Sequence, residues 1–307
     1  MGQNTKIEWA TDVWNCVRGC STVSEGCRRC YAMAVAARFS GPGLAYEGLA
    51  KRTQAGPRWT GEVRVVREHL FDPLHWKRPR RIFVNSMSDL FHEKLPFHAI
   101  DDVFDVMIRC PQHVFIVLTK RAARMVEYFK SCGNRAEYLA KHPGIWMGVS
   151  VEDQKTADLR LPELAVVPAG VRFVSCEPLL GPVKSAWTGV SWMILGGESG
   201  PCARPCRVDW IRSIAAQCRD AGIATFVKQL GAHVIDRNDA GFDGCESTSW
   251  PEGTETDDWD LDPSRQYQGA PARILLASRK GGDISEWPED LRIREFPEPQ
   301  AVEAPRP

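Results

Sequence analysis

The feature of this sequence that most restricts its fold is an alternation between short apolar runs and segments with helical periodicity. Continuous runs of Val, Ile, Leu and Phe, such as HVFIVL at 113–118, are typical of strands buried in a parallel sheet that is covered on both sides. We predict strands within 11–17 and at 81–85, 113–118, 145–149, 171–176, 192–195 and 225–228. We predict helices at 30–39, 96–110, 122–132, 153–166 and 208–221. The chain is therefore expected to have an α/β fold.

Polar side chains follow most of the predicted strands directly, at the point where each strand ends. In a closed or partial β/α barrel these ends form the mouth that carries the chemistry, whereas an open doubly wound sheet would place them along a crevice. Helix caps and turn formers are the alternative explanation for any single residue. Because so many strand ends share the pattern, we favour a barrel with these residues at its mouth: Asn85, Ser86, Asp89, Lys120, Arg121, Ser150, Glu152, Cys176, Glu177, Gly196, Gly197, Glu198, Lys228 and Gln229.

Four of the 11 cysteines lie within fifteen residues, in the segment WNCVRGCSTVSEGCRRCYA. Cys20, Cys27 and Cys30 give the spacing C-x6-C-x2-C, with Cys16 as a bystander. Cysteines grouped in this way favour a metal site over disulfides. A [4Fe–4S] cluster on three cysteines and a structural zinc site both remain open, and neighbouring Arg18, Arg28 and Arg29 are expected to lower the pKa values of the thiols.

Charge and composition divide the chain unevenly. Residues 239–307 contain 16 acidic and 7 basic residues, and residues 1–238 contain 23 acidic and 32 basic residues. We predict a barrel over 1–231 with a Trp-rich insertion at about 40–78, and an acidic loop with a C-terminal extension over 232–307. The sequence has no predicted signal peptide or membrane span, so a cytoplasmic location is expected.

Several long segments resemble the phage- and bacterium-encoded three-Cys-motif family, a family of unknown function that is described as radical-SAM-like. The resemblance spans most of the chain and is clearest in GCSTVSEGCRRCYA, PRRIFVNSMSDLFHEKLP, WMGVSVEDQKTADLRLP and WMILGGESGPCARP. It implies a radical-SAM-like partial barrel in which Cys20, Cys27 and Cys30 hold the cluster. The implied cofactors are a [4Fe–4S] cluster and S-adenosylmethionine, which the cluster cleaves to a 5′-deoxyadenosyl radical.

The mouth residues are then assigned to two groups. Cofactor contacts are expected from Ser86, Asp89, Lys120, Arg121, Ser150, Glu152 and from the element Gly196-Gly197-Glu198, which resembles the GGE element that holds the methionyl amine in radical-SAM enzymes. Catalytic roles are expected for Cys176 as a hydrogen donor, and for Glu177 and Lys120.

A nucleic-acid base or nucleotide is the expected substrate class. Basic residues alternate with Trp in HWKRPRRIF at 75–83, and the insertion adds Arg58, Trp59, Arg64 and Arg67. A flavodoxin- or ferredoxin-like electron donor and a phage-encoded partner protein are further expected partners. The alternative hypothesis is a nucleic-acid-binding protein stabilised by zinc or a closed iron–sulfur cluster, without radical chemistry.

Overall fold

The fold is described from a computed structural model. It describes residues 2–3, 5–133, 136, 139, 142–200, 202–236, 272–274, 276–278 and 280–297. The strands are β1 Gly2–Gln3, β2 Asp12–Trp14, β3 Val17–Arg18, β4 Ala50–Thr53, β5 Gly56–Trp59, β6 Arg64–Val65, β7 Arg81–Val84, β8 Val114–Thr119, β9 Ile145–Ser150, β10 Val171–Cys176, β11 Trp192–Gly196, β12 Cys206–Arg207, β13 Ala224–Gln229, β14 Val234–Asp236 and β15 Ala272–Ile274. The helices are α1 Tyr31–Arg38, α2 Arg67–Leu70, α3 Phe97–Ile108, α4 Ala122–Ser131, α5 Gln154–Ala165 and α6 Val208–Asp220.

One large sheet organises the described chain. Its strand order is β1-β2-β7-β8-β9-β10-β11-β13, and only the edge pair β1–β2 is antiparallel. The other seven strands are parallel and form a curled half-barrel. Because every parallel strand runs the same way, all seven carboxyl ends lie along one edge of the sheet.

The two faces of the sheet are covered differently. The helices α3 to α6 pack on one face through apolar residues such as Val103, Met125, Leu164 and Ile214, together with outward-facing strand residues. The other, concave face is filled by aromatic side chains from the strands and from both ends of the chain: Trp9, Phe83, Trp146, Phe173, Trp192, Phe226 and Phe296. Helices therefore cover one face instead of the two that an open doubly wound sheet requires, which favours the partial barrel.

The C-terminal segment 280–297 packs back onto the sheet. Trp287 is buried, Phe226 forms a β-bridge with Arg294, and the Trp192 Nε1–H donates to Glu295 O at 3.0 Å. The rings of Phe296 and Trp192 lie 5.5 Å apart. Most of the predicted acidic loop within 232–270 lies outside the described residues.

The insertion contains an antiparallel hairpin of β4 and β5, which packs on α1, and the short helix α2. Sequence patterns did not predict this hairpin, the pair β3–β6, or the small sheet β12-β14-β15. The predicted strands and helices of the barrel agree with the observed ones to within about two residues at each end, which is the usual uncertainty of element boundaries. None of the described helices has both the length and the apolar character that a bilayer-spanning helix needs.

Candidate functional site

The segment that carries the clustered cysteines, residues 15–30, is called here the cysteine loop. It follows β2 and joins the carboxyl edge of the sheet, where Gly19 forms a parallel bridge with Ser88 beyond β7. Asn85, which follows β7 with φ +60°, accepts hydrogen bonds from Val17 N at 3.1 Å and from the Cys16 thiol at 3.6 Å. One end of the loop is thereby fixed to the second parallel strand.

Arg121, which follows β8, holds the middle of the cysteine loop. Its guanidinium donates from Nε to both Glu93 carboxylate oxygens at 3.0 Å and from Nη1 to Asp89 Oδ2 at 3.0 Å. Nη1 also contacts Cys20 Sγ at 3.8 Å, and Nη2 donates to Ser21 O at 3.1 Å and Ser21 Oγ at 2.8 Å. All five N–H groups of a guanidinium are thus directed to protein partners, so Arg121 positions the loop.

Asp89 holds the Arg121 guanidinium through a buried ion pair. Its Oδ1 accepts from Phe91 N at 3.0 Å and Thr119 Oγ1 at 2.7 Å, and its Oδ2 accepts from Lys120 N at 3.1 Å and from Arg121. A carboxylate with four donors in place has little capacity left for a ligand. The geometry therefore supports a positioning role for Asp89 and Arg121, and their expected contact with a cofactor stays a prediction.

Glu152, which follows β9, attaches the loop at a third strand. It is fully buried, accepts from Ser24 Oγ at 2.9 Å, and pairs with Lys120 at 3.3 Å and Arg160 at 3.0 Å. Gly26 lies so close that a Cβ there would stand 2.5 Å from Glu152 Oε1. The loop requires glycine at this position because the Glu152 side chain occupies the space.

Glu198, which follows β11, attaches the loop at a fourth strand. Its carboxylate accepts two hydrogen bonds from the Arg204 guanidinium, at 2.7 and 3.1 Å, and one from Arg204 N at 2.9 Å. Arg29 of the CxxC segment lies 3.8 Å from the same carboxylate and also donates to Cys202 O. Arg204 further pairs with Glu25 of the loop at 3.5 Å. The cysteine loop is therefore tied to strand ends across the width of the half-barrel.

The three predicted ligand thiols interact with one another electrostatically. Burial, followed by the Asp89 carboxylate, raises the pKa of Cys20 to about 12, while Arg121 acts in the opposite direction and the Cys30 and Cys27 thiols raise it further. The thiols of Cys27 and Cys30 therefore lie within electrostatic reach of Cys20.

The cations that favour thiolates differ from those predicted. Burial raises the pKa of Cys30, and Lys120 lowers it. Arg28 instead pairs with Glu25 at the surface, and Arg18 stacks over Tyr46. The cations that lower the thiol pKa values are therefore Lys120 and Arg121, which reach the loop from the end of β8, and not the predicted Arg18, Arg28 and Arg29.

The two candidate metal groups place different demands on the thiols. No three His, Cys, Asp or Glu side chains of the described residues are grouped closely enough to hold a single ion. Zinc at about 2.3 Å from each sulfur would require sulfur atoms about 3.8 Å apart. An iron–sulfur cluster attaches each cysteine to a different iron and so accepts thiols that are farther apart. The iron–sulfur cluster and the zinc ion therefore both stay predictions for the cysteine loop.

A buried donor near the loop has no partner among the described residues. Asn85 is 3% exposed, and its Nδ2 has no hydrogen-bond partner among the described residues. Its Oδ1 is occupied by the cysteine loop itself, so the amide lies directly against this segment. An anionic group with sulfur acceptors would satisfy such a donor, since buried polar groups are rarely left unpaired.

Two further polar groups lie at the carboxyl edge of the sheet, one beyond β10 and the other at Tyr31. Glu177 accepts from Lys228 Nζ at 2.6 Å and from Gln229 Nε2 at 3.2 Å. The hydroxyl of Tyr31, the residue after Cys30, donates to Ser86 O at 2.9 Å. Tyr31 is 54% exposed, and its hydroxyl is held at the backbone that follows β7.

Cys176 is placed away from the mouth. Strand alternation puts Val171 and Phe173 on the concave face, but Val174 and Cys176 on the helix-covered face. Cys176 is fully buried there, with its Sγ 3.8 Å from Met193 Sδ. The geometry disagrees with a hydrogen donor at the mouth, and alternation along β10 could have indicated this from the sequence.

The remaining predicted site residues have clear neighbours. Ser86 donates to Asn15 Oδ1 at 3.1 Å, and Ser150 is buried at the end of β9. Gly196 and Gly197 allow close strand packing, because a Cβ on Gly197 would stand 2.2 Å from Leu230 O. Their contact with a cofactor stays a prediction, as do the catalytic roles of Glu177 and Lys120.

The basic stretch at 75–83 lies at the opposite edge of the sheet, before the start of β7. Trp76 is 8% exposed and has Arg80 over its ring at 4.8 Å, and Arg80 also pairs with Asp12. A buried ring cannot stack on a base, so the predicted stacking by Trp76 is wrong, while phosphate contact by the cations of this stretch stays a prediction. Of its basic residues, His75, Lys77 and Arg78 are exposed.

Comparison with known proteins places the chain in a family. A family model described as "Protein of unknown function (DUF5131)" matches residues 4–273. The chain belongs to the DUF5131 family. The match covers the cysteine loop and all seven parallel strands of this DUF5131 protein. No curated protein and no solved structure matches the chain.

Sequence reasoning missed several residues that build the DUF5131 site. Ser24 and Arg29 tie the cysteine loop to Glu152 and Glu198, and Tyr31 reaches the mouth. The sequence signal for Tyr31 was its position directly after the CxxC pair. The partners of Ser24 and Arg29 lie 128 and 169 positions away, so no local pattern could identify them.

Proposed function

We propose that this protein is a radical-SAM-type iron–sulfur enzyme whose cysteine loop holds a [4Fe–4S] cluster through Cys20, Cys27 and Cys30. The observation that carries the proposal is the placement of this loop. It is tied to four strand ends at the carboxyl edge of a parallel half-barrel, where β/α enzymes assemble their active sites. When reduced by a flavodoxin- or ferredoxin-like donor, such a cluster supplies the electron that cleaves S-adenosylmethionine into methionine and a 5′-deoxyadenosyl radical.

The surrounding residues of the chain hold and shield the ligands. Arg121 keeps Cys20 in place and offers it an N–H donor, which favours the thiolate. Lys120 lies near Cys30 and acts in the same direction. Asn85 contacts the base of the loop through its Oδ1, and its Nδ2 has no partner among the described residues. The loop thus has a fixed backbone and compensating positive charge on one side.

The far side of the mouth is suited to bind the rest of the reactants. Glu177, Lys228 and Gln229 present a carboxylate, an ammonium and an amide there, and Tyr31 presents a hydroxyl beside Ser86. These groups match the amino, carboxylate and ribose groups of S-adenosylmethionine and the edge of a nucleic-acid base or nucleotide, the substrate class we propose.

The test is anaerobic reconstitution of the full-length protein with iron and sulfide, followed by reduction with S-adenosylmethionine. We expect a brown protein that absorbs near 400 nm and releases 5′-deoxyadenosine. Cys27→Ala should lose both the colour and the product. Cys110→Ala is the matched control, because Cys110 is buried beyond the end of α3, outside the loop, and should retain both.

Two outcomes would overturn the proposal. A colourless protein that binds stoichiometric zinc through the same cysteines would instead support a zinc-stabilised nucleic-acid-binding protein. An intact cluster that gives no 5′-deoxyadenosine, with or without added DNA, RNA or nucleotides, would indicate a structural or electron-transfer cluster.

A further inference from the structure

The helix α1 and the hairpin β4–β5, residues 31–59, form a unit that we call the hairpin module. Its small core is made of alanines from α1 together with Tyr46, Leu49 and Met87, and Trp59 packs against it. Because α1 begins directly after Cys30, the module is an immediate extension of the cysteine loop. An extended ligand bound along the module would therefore reach towards the mouth of the half-barrel.

The positive charge of the hairpin is not compensated by acidic side chains. Lys51 on β4 lies directly opposite Arg58 on β5. Like charges at directly opposed positions of an antiparallel pair destabilise it. None of Lys51, Arg52 and Arg58 forms an ion pair with a carboxylate of the described residues, whereas Arg28 of the neighbouring loop does, with Glu25. An arrangement that costs stability in the free protein indicates a polyanionic ligand.

Large apolar side chains of the module are exposed, and Arg52 Nε donates to Ala37 O, two residues before Phe39, at 3.3 Å. Tyr31 is 54% exposed, Phe39 at the end of α1 is 50% exposed, and Leu44 is 46% exposed. Exposed rings next to Arg and Lys are the combination by which proteins bind single-stranded nucleic acids, since bases stack on the rings and cations follow the phosphates. An acidic peptide would use the cations but would gain nothing from the rings.

We infer that the hairpin module binds single-stranded nucleic acid and directs it to the cysteine loop. This inference extends the proposed function by naming where and in which form the substrate binds. A base at the recessed mouth must be unstacked from its neighbours, which favours a single strand over a duplex. The shared chemistry of DNA and RNA, a phosphodiester backbone with flat bases, accounts for the recognition.

The experiment measures fluorescence anisotropy of labelled oligonucleotides of about 16 nucleotides, as single-stranded DNA, single-stranded RNA and duplex DNA, over a series of salt concentrations. The test variant is Lys51→Gln/Arg58→Gln. The control is Lys77→Gln/Arg78→Gln, which removes the same charge from exposed positions at the opposite edge of the sheet. Circular dichroism and thermal unfolding confirm that each variant is folded.

We expect at least one single strand to bind more tightly than the duplex. The test variant should weaken binding at least about tenfold and reduce the slope of log K against log salt by about 1.4, since each phosphate contact in a single strand contributes about 0.7. The control should change affinity less than about twofold. Phe39→Ala should weaken binding about fivefold or more through the loss of one stacked base.

Three results would overturn the inference: equal effects of the test and control variants, no effect of Phe39→Ala, or equally effective competition by poly-glutamate. The binding assay needs neither a cluster nor S-adenosylmethionine, so its outcome is independent of 5′-deoxyadenosine formation. If Cys27-dependent 5′-deoxyadenosine forms but no strand binds, this inference fails and the proposed cluster chemistry stands. If a strand binds but no 5′-deoxyadenosine forms, the proposed cluster chemistry fails and this inference stands.

Discussion

Replacing Asp89 by Asn removes the negative charge that faces Arg121 and keeps the shape of the side chain. Each oxygen of Asp89 accepts a hydrogen bond from one backbone N–H, that of Phe91 on one side and that of Lys120 on the other. Whichever way the Asn amide is turned, its NH2 group therefore faces an N–H donor. The substitution breaks an ion pair and also leaves at least one buried donor without an acceptor.

The size of the effect follows from burial. Asp89 and Arg121 are each only 6% exposed. Removal of one partner from a buried ion pair costs about 3–5 kcal/mol, because the remaining charge is left in the protein interior. Glu93 still contacts the guanidinium, although its side chain is 58% exposed. We therefore expect a loss near the lower end, about 3 kcal/mol in the free energy of unfolding.

The assay is urea unfolding of the full-length protein followed by circular dichroism. Glu127→Gln is the matched control, because Glu127 pairs with Arg124 at 3.1 Å but is 65% exposed. A surface pair of this kind contributes about 0.5 kcal/mol or less, so the control should barely change the midpoint. If Asp89→Asn is no more destabilising than the control, the buried pair does not hold the end of β8 and the account of the loop anchor is wrong.

Three further predictions test the fold and the site. Burial lowers the pKa values of His92, His113 and His142, so near pH 6.5 these residues bind protons in the unfolded chain but not in the folded protein. Urea unfolding from pH 8 to 5 should therefore show a constant free energy of unfolding above about pH 6.5 and a decline below it. A flat profile would contradict the burial of these histidines. Gly26→Ala should displace Glu152 and reduce the iron content after reconstitution while far-UV circular dichroism is preserved, whereas unchanged iron would show that this contact does not shape the loop. Gly197→Ala should lower thermal stability by an amount equivalent to about 1–3 kcal/mol because its Cβ meets Leu230 O, and Gly282→Ala, which meets nothing within 4 Å, should not; equal effects would refute the close packing.

Much of the fold could be predicted because its causes are local. The apolar run HVFIVL and its counterparts can only be satisfied in the interior of a sheet, and the observed strands match the predicted runs closely. The polar residues after the strands were also expected at one edge, since parallel strands share a direction. The spacing of Cys20, Cys27 and Cys30 likewise marked the loop as the place to search for chemistry.

Sequence alone determined which segments become strands and helices and which strand ends carry polar groups, because periodicity and side-chain type act over a few residues. Tertiary structure decided what those polar groups do. Arg121 contacts Cys20 across 101 positions, and Glu198 lies beside Arg29 across 169 positions. Trp9 and Phe296, from the two ends of the chain, together fill the concave face. Such pairings depend on how the sheet curls and which loops meet, and they exist only once the whole half-barrel has assembled.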